Sequence, residues 1–205
     1  YVIGDGSNGF LDSSRAHAKV GGPHDIDLDP LSTDLLLCDY TNHRMRRITF
    51  QGRTNVYAGD GTAAHADGIG LAASFSHPVF MAVAGDGTHY VVEIISCVIS
   101  KITPGGSVTK LSGQAASTCT TSVDGVATAD YIWPSGIALH PTLPRLYVSE
   151  YTSNIVRRVS TADGDVQTML GVKGTPGFLD GPAGTALYSQ PAGITFTAAG
   201  VAYVA

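Results

Sequence analysis

Two sets of carboxylates are spaced so that they could do chemistry. The first is the run His24-Asp25-Ile26-Asp27-Leu28-Asp29. In an extended strand alternate residues share a face, so Asp25, Asp27 and Asp29 stand on one side, successive ones about 7 Å apart. Oxygen ligands in that array suit a hard cation such as Ca2+, with Asp25 and Asp27 as the ligand pair. The same residues also read as the wet end of a strand entering the turn opened by Asp29-Pro30. The second set is Asp39, Glu93 and Glu150, each closing a short apolar run. Three acids on one rim could hold a cation or meet a basic partner, or each could accept hydrogen bonds from the loop that follows it. Their recurrence favours the structural role, because a catalytic acid is needed once.

The remaining reactive side chains are more scattered. Of seven histidines, His17, His24, His65 and His77 fall in or beside linkers, without the converging spacing that a zinc site needs. His65 and His77 join Asp39, Glu93 and Glu150 as candidates for a binding face. Arg44, Arg46, Arg47, Lys101, Arg157 and Arg158 line third strands, where solvated edge charges discourage unwanted pairing. A nucleic-acid surface would set them on one exposed face with aromatic side chains between them. Cys38 sits in the apolar run Leu35-Leu36-Leu37-Cys38 and reads as a buried thiol. Cys97 and Cys119 fall at the same end of one repeat, which makes a disulfide between them geometrically reasonable and points to an oxidising compartment.

The elements that must position these groups are repeats. Prolines recur at 23, 78, 134 and 191, at intervals of 55, 56 and 57 residues. An aspartate precedes each, as Asp12, Asp67, Asp124 and Asp180, at an offset of eleven residues, or ten before Pro134. Gly4, Gly59, Gly113 and Gly171 close the runs that end each unit. The copy from Ala58 to Gly113 is complete: a linker, then four strand-sized segments separated by turns. Columns of apolar residues align between copies, as in Ile26, Met81, Ile137 and Ile194, or Leu28, Val83, Leu139 and Phe196. Val20, Phe75, Tyr131 and Tyr188 stand three residues before each proline as wedges between sheets. A small up-and-down sheet cannot bury both faces alone, so copies must stack, and radial stacking makes a β-propeller of four-stranded antiparallel blades. The expected blades span about 23–59, 78–113 and 134–171, with part of another at 191–205 and a remnant strand at 1–4. The second-to-third loops and the long linkers share one end of the blades, the linker face, where binding is expected.

The totals agree. The 205 residues are 43% hydrophobic and only 14% charged, with 25 glycines and 10 prolines, which suits many short strands and tight turns rather than disorder. A net charge of −5 with dispersed basic residues gives no electrostatic footprint for nucleic acid. No apolar run is long enough to span a membrane. Because the chain opens and stops inside a unit, it reads as an excerpt of a longer protein.

The string Cys38-Asp39-Tyr40-Thr41-Asn42-His43-Arg44-Met45-Arg46-Arg47-Ile48-Thr49, with Gly9-Phe10-Leu11-Asp12 and the openings Pro134-Ser135-Gly136-Ile137 and Pro191-Ala192-Gly193-Ile194, resembles the NHL repeat. Ser96-Cys97-Val98 and Ser153-Asn154-Ile155 replace Asn42-His43-Arg44 in the other copies. The resemblance implies a propeller that commonly closes as six blades. Fewer than four are here, so further blades or neighbouring copies of the chain would complete it. The expected role is a non-catalytic scaffold or interaction module of a larger extracellular protein. It would bind protein partners or copies of itself, in one version as a building block of a surface layer or filament. The rivals are a metal-dependent lyase or hydrolase with its site in the channel near Asp25 and Asp27, and an RNA-binding NHL propeller.

Overall fold

A computed structural model describes residues 3–114, 119–126 and 129–205. Tyr1 and Val2 of the expected remnant strand, and residues 115–118 and 127–128 of the third linker, lie outside them. Valine-, isoleucine- and leucine-rich runs punctuated by Gly, Pro and Asp form strands as the pattern requires. Among the described residues, helical structure is confined to three-residue 3-10 turns. The first sheet comprises Pro23–Leu28, Leu35–Asp39, Arg44–Ile48 and Arg53–Ala58, and the second Pro78–Val83, His89–Glu93, Val98–Ile102 and Ser107–Gly113. The third comprises Pro134–Leu139, Arg145–Glu150, Ile155–Ser160 and Val166–Leu170, and a two-stranded sheet pairs Ile194–Phe196 with Ala202–Val204. The fold is all-β, built of antiparallel propeller blades, and no sheet closes on itself.

The linkers differ from simple loops. Ser13–Ser14 pairs with the fourth strand of the first sheet and Gly68–Ile69 with that of the second, each as a short fifth strand. Gly125 makes a single bridge to Val166 in the third. Part of each linker is thus spent on its own sheet's outer edge, whose backbone groups would otherwise stand unpaired.

The chain divides into two units, Tyr1–Glu93 with Ser100–Lys110, and Ile94–Ile99 with Leu111–Ala205. In the first, Leu36, Cys38, Met45, Phe75, Met81, Val91, Ile102 and Val108 make one core. Phe75 fills the wedge position and is fully buried. The aligned columns do not share one environment: Ile26 and Leu28 are 50% and 52% exposed, whereas Met81 is 5% exposed. A column position is buried only where another sheet covers it. In the second unit Tyr131 is the buried wedge, its hydroxyl 2.9 Å from Ser112 Oγ. Ser135 Oγ donates to Pro191 O at 2.9 Å, and a Cβ on Gly136 would overlap Ala192 O, which explains a glycine there. A disulfide joins Cys97 to Cys119, and Cys38 is a buried free thiol whose ionisation is opposed first by that burial and then by Asp25 and Asp39.

The recurring glycines have a steric cause. His43, Cys97 and Asn154, which end the second-to-third loops, have φ of 54°, 52° and 59°. That backbone turns their carbonyls towards the end of the fourth strand. Gly59, Gly113 and Gly171 lie there at φ of 102°, 97° and 88°, where a Cβ would stand against His43 O, Cys97 O and Asn154 O respectively. The residues before the recurring prolines, Gly22, His77, Trp133 and Gln190, also have positive φ. His43 Nδ1 accepts the His77 N–H at 3.3 Å, and Asn154 Oδ1 accepts the Gln190 N–H at 2.9 Å. The same short link therefore holds this bend in both units.

One core position breaks the pattern. His89 aligns with Leu35 and Leu146 and is 1% exposed, and among the described residues neither ring nitrogen has a hydrogen-bond partner. Burial lowers its pKa, partly opposed by Asp29. The unfolded imidazole, titrating near pH 6.5, then binds more protons than the folded one, so His89 reduces stability as pH falls below that value. Replacing His89 with leucine removes two unpaired polar atoms from a buried site. It is expected to add about 1–2 kcal/mol of stability at neutral pH, with a larger gain at pH 5, read from paired urea melts.

Candidate functional site

The acids that end the second strands are the centres of three clusters at equivalent positions. In the first sheet Asp39 is fully buried, and its Oδ1 accepts the Gly21 N–H at 2.6 Å. Arg46, also 0% exposed, donates from Nη1 to Asp39 Oδ2 at 2.7 Å and from Nη2 to Asp12 Oδ1 at 2.6 Å. Asp12 in turn accepts the Val56 N–H of the fourth strand. The third sheet repeats this. Arg157 donates to Glu150 Oε1 at 2.6 Å and to Asp124 Oδ1 at 2.8 Å, Glu150 Oε2 accepts the Ile132 N–H at 3.0 Å, and Asp124 Oδ2 accepts the Thr168 N–H at 3.0 Å. A register shift falls beside each arginine, with Tyr57 or Met169 as the extra fourth-strand residue. Such bulges re-aim side chains. The arginines also bond linker carbonyls, Arg46 that of Lys19 and Arg157 those of Asp130 and Val123.

This arrangement corrects two details of the sequence reading. Arg46 and Arg157 are not solvated edge charges, because alternation within the third strand turns them inward onto the acids while Arg47 and Arg158 stay partly exposed. Asp39 and Glu150 take backbone hydrogen bonds from the linker two residues before the proline, at Gly21 and Ile132, rather than from the following loop's backbone, and Glu93 likewise accepts the Ser76 N–H. The following loop contributes side chains instead, Asn42 Nδ2 to Asp39 and Ser153 Oγ to Glu150.

The second sheet departs from its neighbours. Ser100 occupies the arginine position, and the cation comes from the linker as His65. His65 Nδ1 lies 2.8 Å from Glu93 Oε1 and Nε2 lies 3.2 Å from Asp67 Oδ1. Ser100 Oγ donates to Glu93 Oε1, Glu93 Oε2 accepts the Ser76 N–H at 2.8 Å, and Asp67 Oδ1 accepts the Lys110 N–H at 2.7 Å.

The aspartates of the first strand have separate partners. Asp25 Oδ1 accepts the Ile26 N–H and Oδ2 the Met81 N–H, each at 2.9 Å, so this carboxylate bridges two sheets of the first unit. Burial raises its pKa despite those bonds, with the charge of Asp27 adding to the rise. Asp27 Oδ1 accepts the Leu28 N–H at 2.7 Å. Asp29 caps the turn through Leu31 N–H and Ser32 Oγ and pairs with Arg47 at 3.1 Å. Among the described residues no group of three His, Cys, Asp or Glu side chains is arranged to hold a metal ion.

The linker end of the first unit carries a chain of rings that sequence reasoning did not assemble. His24 packs on Tyr40 with centroids 4.6 Å apart, Tyr40 on His77 at 4.9 Å, and His77 on His43 at 4.3 Å. The first strand, the second-to-third loop and the residue before Pro78 supply them. His24 is exposed, and Tyr40, His43 and His77 are half-buried. Burial lowers the pKa of both His43 and His77, and the Arg44 charge beside His43 and the His43 ring beside His77 add to this. The imidazole and phenol rings give a flat surface with polar edges, suited to stacking and hydrogen bonding. The proximity of Tyr40 and His43 to Asp39 was visible in the sequence; their meeting with His77, some 34 residues on, was not.

No protein-family model matches the chain, and no curated protein matches it. Solved structures do. An auxiliary nutrient binding protein from Bacteroides ovatus aligns with a TM-score of 0.71 at 15% identity, over 99% of this chain and 52% of that one. One from Bacteroides thetaiotaomicron aligns with a TM-score of 0.70 at 16% identity, over 91% and 46%. A streptogramin B lyase aligns with a TM-score of 0.62 at 20% identity, over 94% and 50%. The chain thus spans about half the length of these three structures, and likeness at this identity shows what they share with it, the β-propeller fold.

Proposed function

We propose that this chain is a non-catalytic interaction module of a larger, extracellular protein, and that it binds a protein partner through the linker face. The observation that carries this reading is the continuous ring surface of His24, Tyr40, His77 and His43. Aromatic side chains are enriched where proteins meet, since they bury much area at little conformational cost. Asp39, Glu93 and Glu150, by contrast, are consumed in holding linkers and lie out of solvent. The disulfide supports an oxidising compartment, and no helix of the described residues is long and apolar enough to cross a membrane. Two of the matched propellers are named as binding proteins, which is compatible with the reading. In its narrower form the partner is a second copy of the chain in a surface layer or filament.

The test is a photocrosslinking side chain placed at Tyr40, and separately at Gln51 in a turn at the opposite end of the same sheet, in the protein as made by its own cells. A discrete adduct is expected from Tyr40, lost with His77→Ala and absent from Gln51. No adduct from Tyr40, or the same one from both positions, would contradict the reading. A metal-dependent activity abolished by Asp25→Asn would favour the lyase or hydrolase instead.

A further inference from the structure

The three acid clusters differ in the chemistry of their cation. Arg46 and Arg157 stay charged at every physiological pH. The second sheet has Ser100 in that place and closes the cluster with His65, whose side chain is 6% exposed. Both ring nitrogens of His65 face carboxylate oxygens, Glu93 Oε1 at Nδ1 and Asp67 Oδ1 at Nε2. A neutral imidazole has one N–H and could satisfy only one of them, turning a lone pair towards the other. The geometry therefore specifies the imidazolium. Ser100 Oγ also lies against the ring, 3.4 Å from Nδ1, and Lys110 meets Asp67 through its backbone N–H.

We propose that His65 is a protonation latch, which fastens the linker of the second blade, residues 60–76, at acidic to neutral pH and releases it as pH rises. Burial is the largest influence on the His65 pKa and lowers it, but the hydrogen bond and charge of Glu93 with the charge of Asp67 outweigh it, so the net direction is upward. The folded form then holds the proton more tightly than the unfolded one. The stabilisation is fully present below about pH 6.5 and is lost as pH rises through the raised folded value. The effect reaches the linker end because Glu93 also holds the N–H of Ser76, next to His77. The sheets with Arg46 and Arg157 lack the switch, so release is confined to one blade. The inference stands on this cluster and does not depend on what the linker face binds.

Hydrogen exchange of the wild-type protein from pH 6 to pH 9, corrected for the intrinsic rate, tests it. Protection of residues 60–76 is expected to fall by up to about tenfold per pH unit between about pH 6.5 and the raised folded value of His65, levelling off above it, while residues 5–22, held by Arg46, keep theirs. The double variant His65→Phe with Ser100→Arg transplants the arrangement of the first sheet and is expected to abolish the slope while retaining protection. Equal pH behaviour of the two linkers would overturn the proposal. So would an NMR titration of wild-type His65 with a midpoint at or below pH 6.5, a readout that needs no variant to fold.

Discussion

Replacing Arg157 with alanine is expected to cost about 3–5 kcal/mol of stability, the penalty for leaving a buried charge without its partner. Glu150 is fully buried with its Oε1 on the guanidinium, and truncation also removes one of the donors to Asp130 O and to Val123 O, which keep each other's backbone N–H. Tyr131, whose ring lies 5.1 Å from the guanidinium carbon, would border the cavity. Urea denaturation at pH 7 reads the loss. A loss below about 1 kcal/mol, the scale of an exposed ion pair, would mean that the cluster contributes little.

Replacing Gly171 with alanine is expected to cost about 3 kcal/mol, from the left-handed backbone and from overpacking against a carbonyl. The methyl would overlap Asn154 O with Ile155 Cα close behind, at a φ of 88°. Both opposing atoms are backbone, so no side-chain rotation relieves them. Gly59→Ala should be milder, because its Cβ would stand 2.9 Å from His43 O. Thermal melts of the two variants check the magnitude and the order. Equal and small losses would show that the loop carbonyls move away readily.

The repeat was legible because its markers, one proline, one aspartate and one glycine per unit, each answer a backbone requirement that every blade shares. The glycine is needed where the loop carbonyl approaches the fourth strand, and the aspartate holds a fourth-strand N–H in each of the first three blades. The structural role of Asp39, Glu93 and Glu150 was legible from their recurrence. Their cations were not. Arg46 meets Asp12 across 34 residues only because the linker folds back along the sheet edge, and alternation alone does not say which face of the third strand a neighbouring blade will cover. His65 was harder still, because in the second blade it comes from the linker rather than from the third strand, where Ser100 stands. The signal was present in the aligned third strands, as a serine among arginines beside an unchanged acid. The ring surface of His24, Tyr40 and His77 brings together residues of two blades, and nothing in either repeat alone marks it.

The central claim is that each blade is fastened to its linker by a buried acid and a cation acting as one unit. A double-mutant cycle on Glu150→Gln and Arg157→Met tests it most directly, by denaturant unfolding of the two single variants and the double. The expected result is a double variant that loses far less than the sum of the singles, with a coupling energy of at least about 2 kcal/mol. Losses that add to within about 0.5 kcal/mol would contradict the account, showing two side chains that lie together without depending on one another.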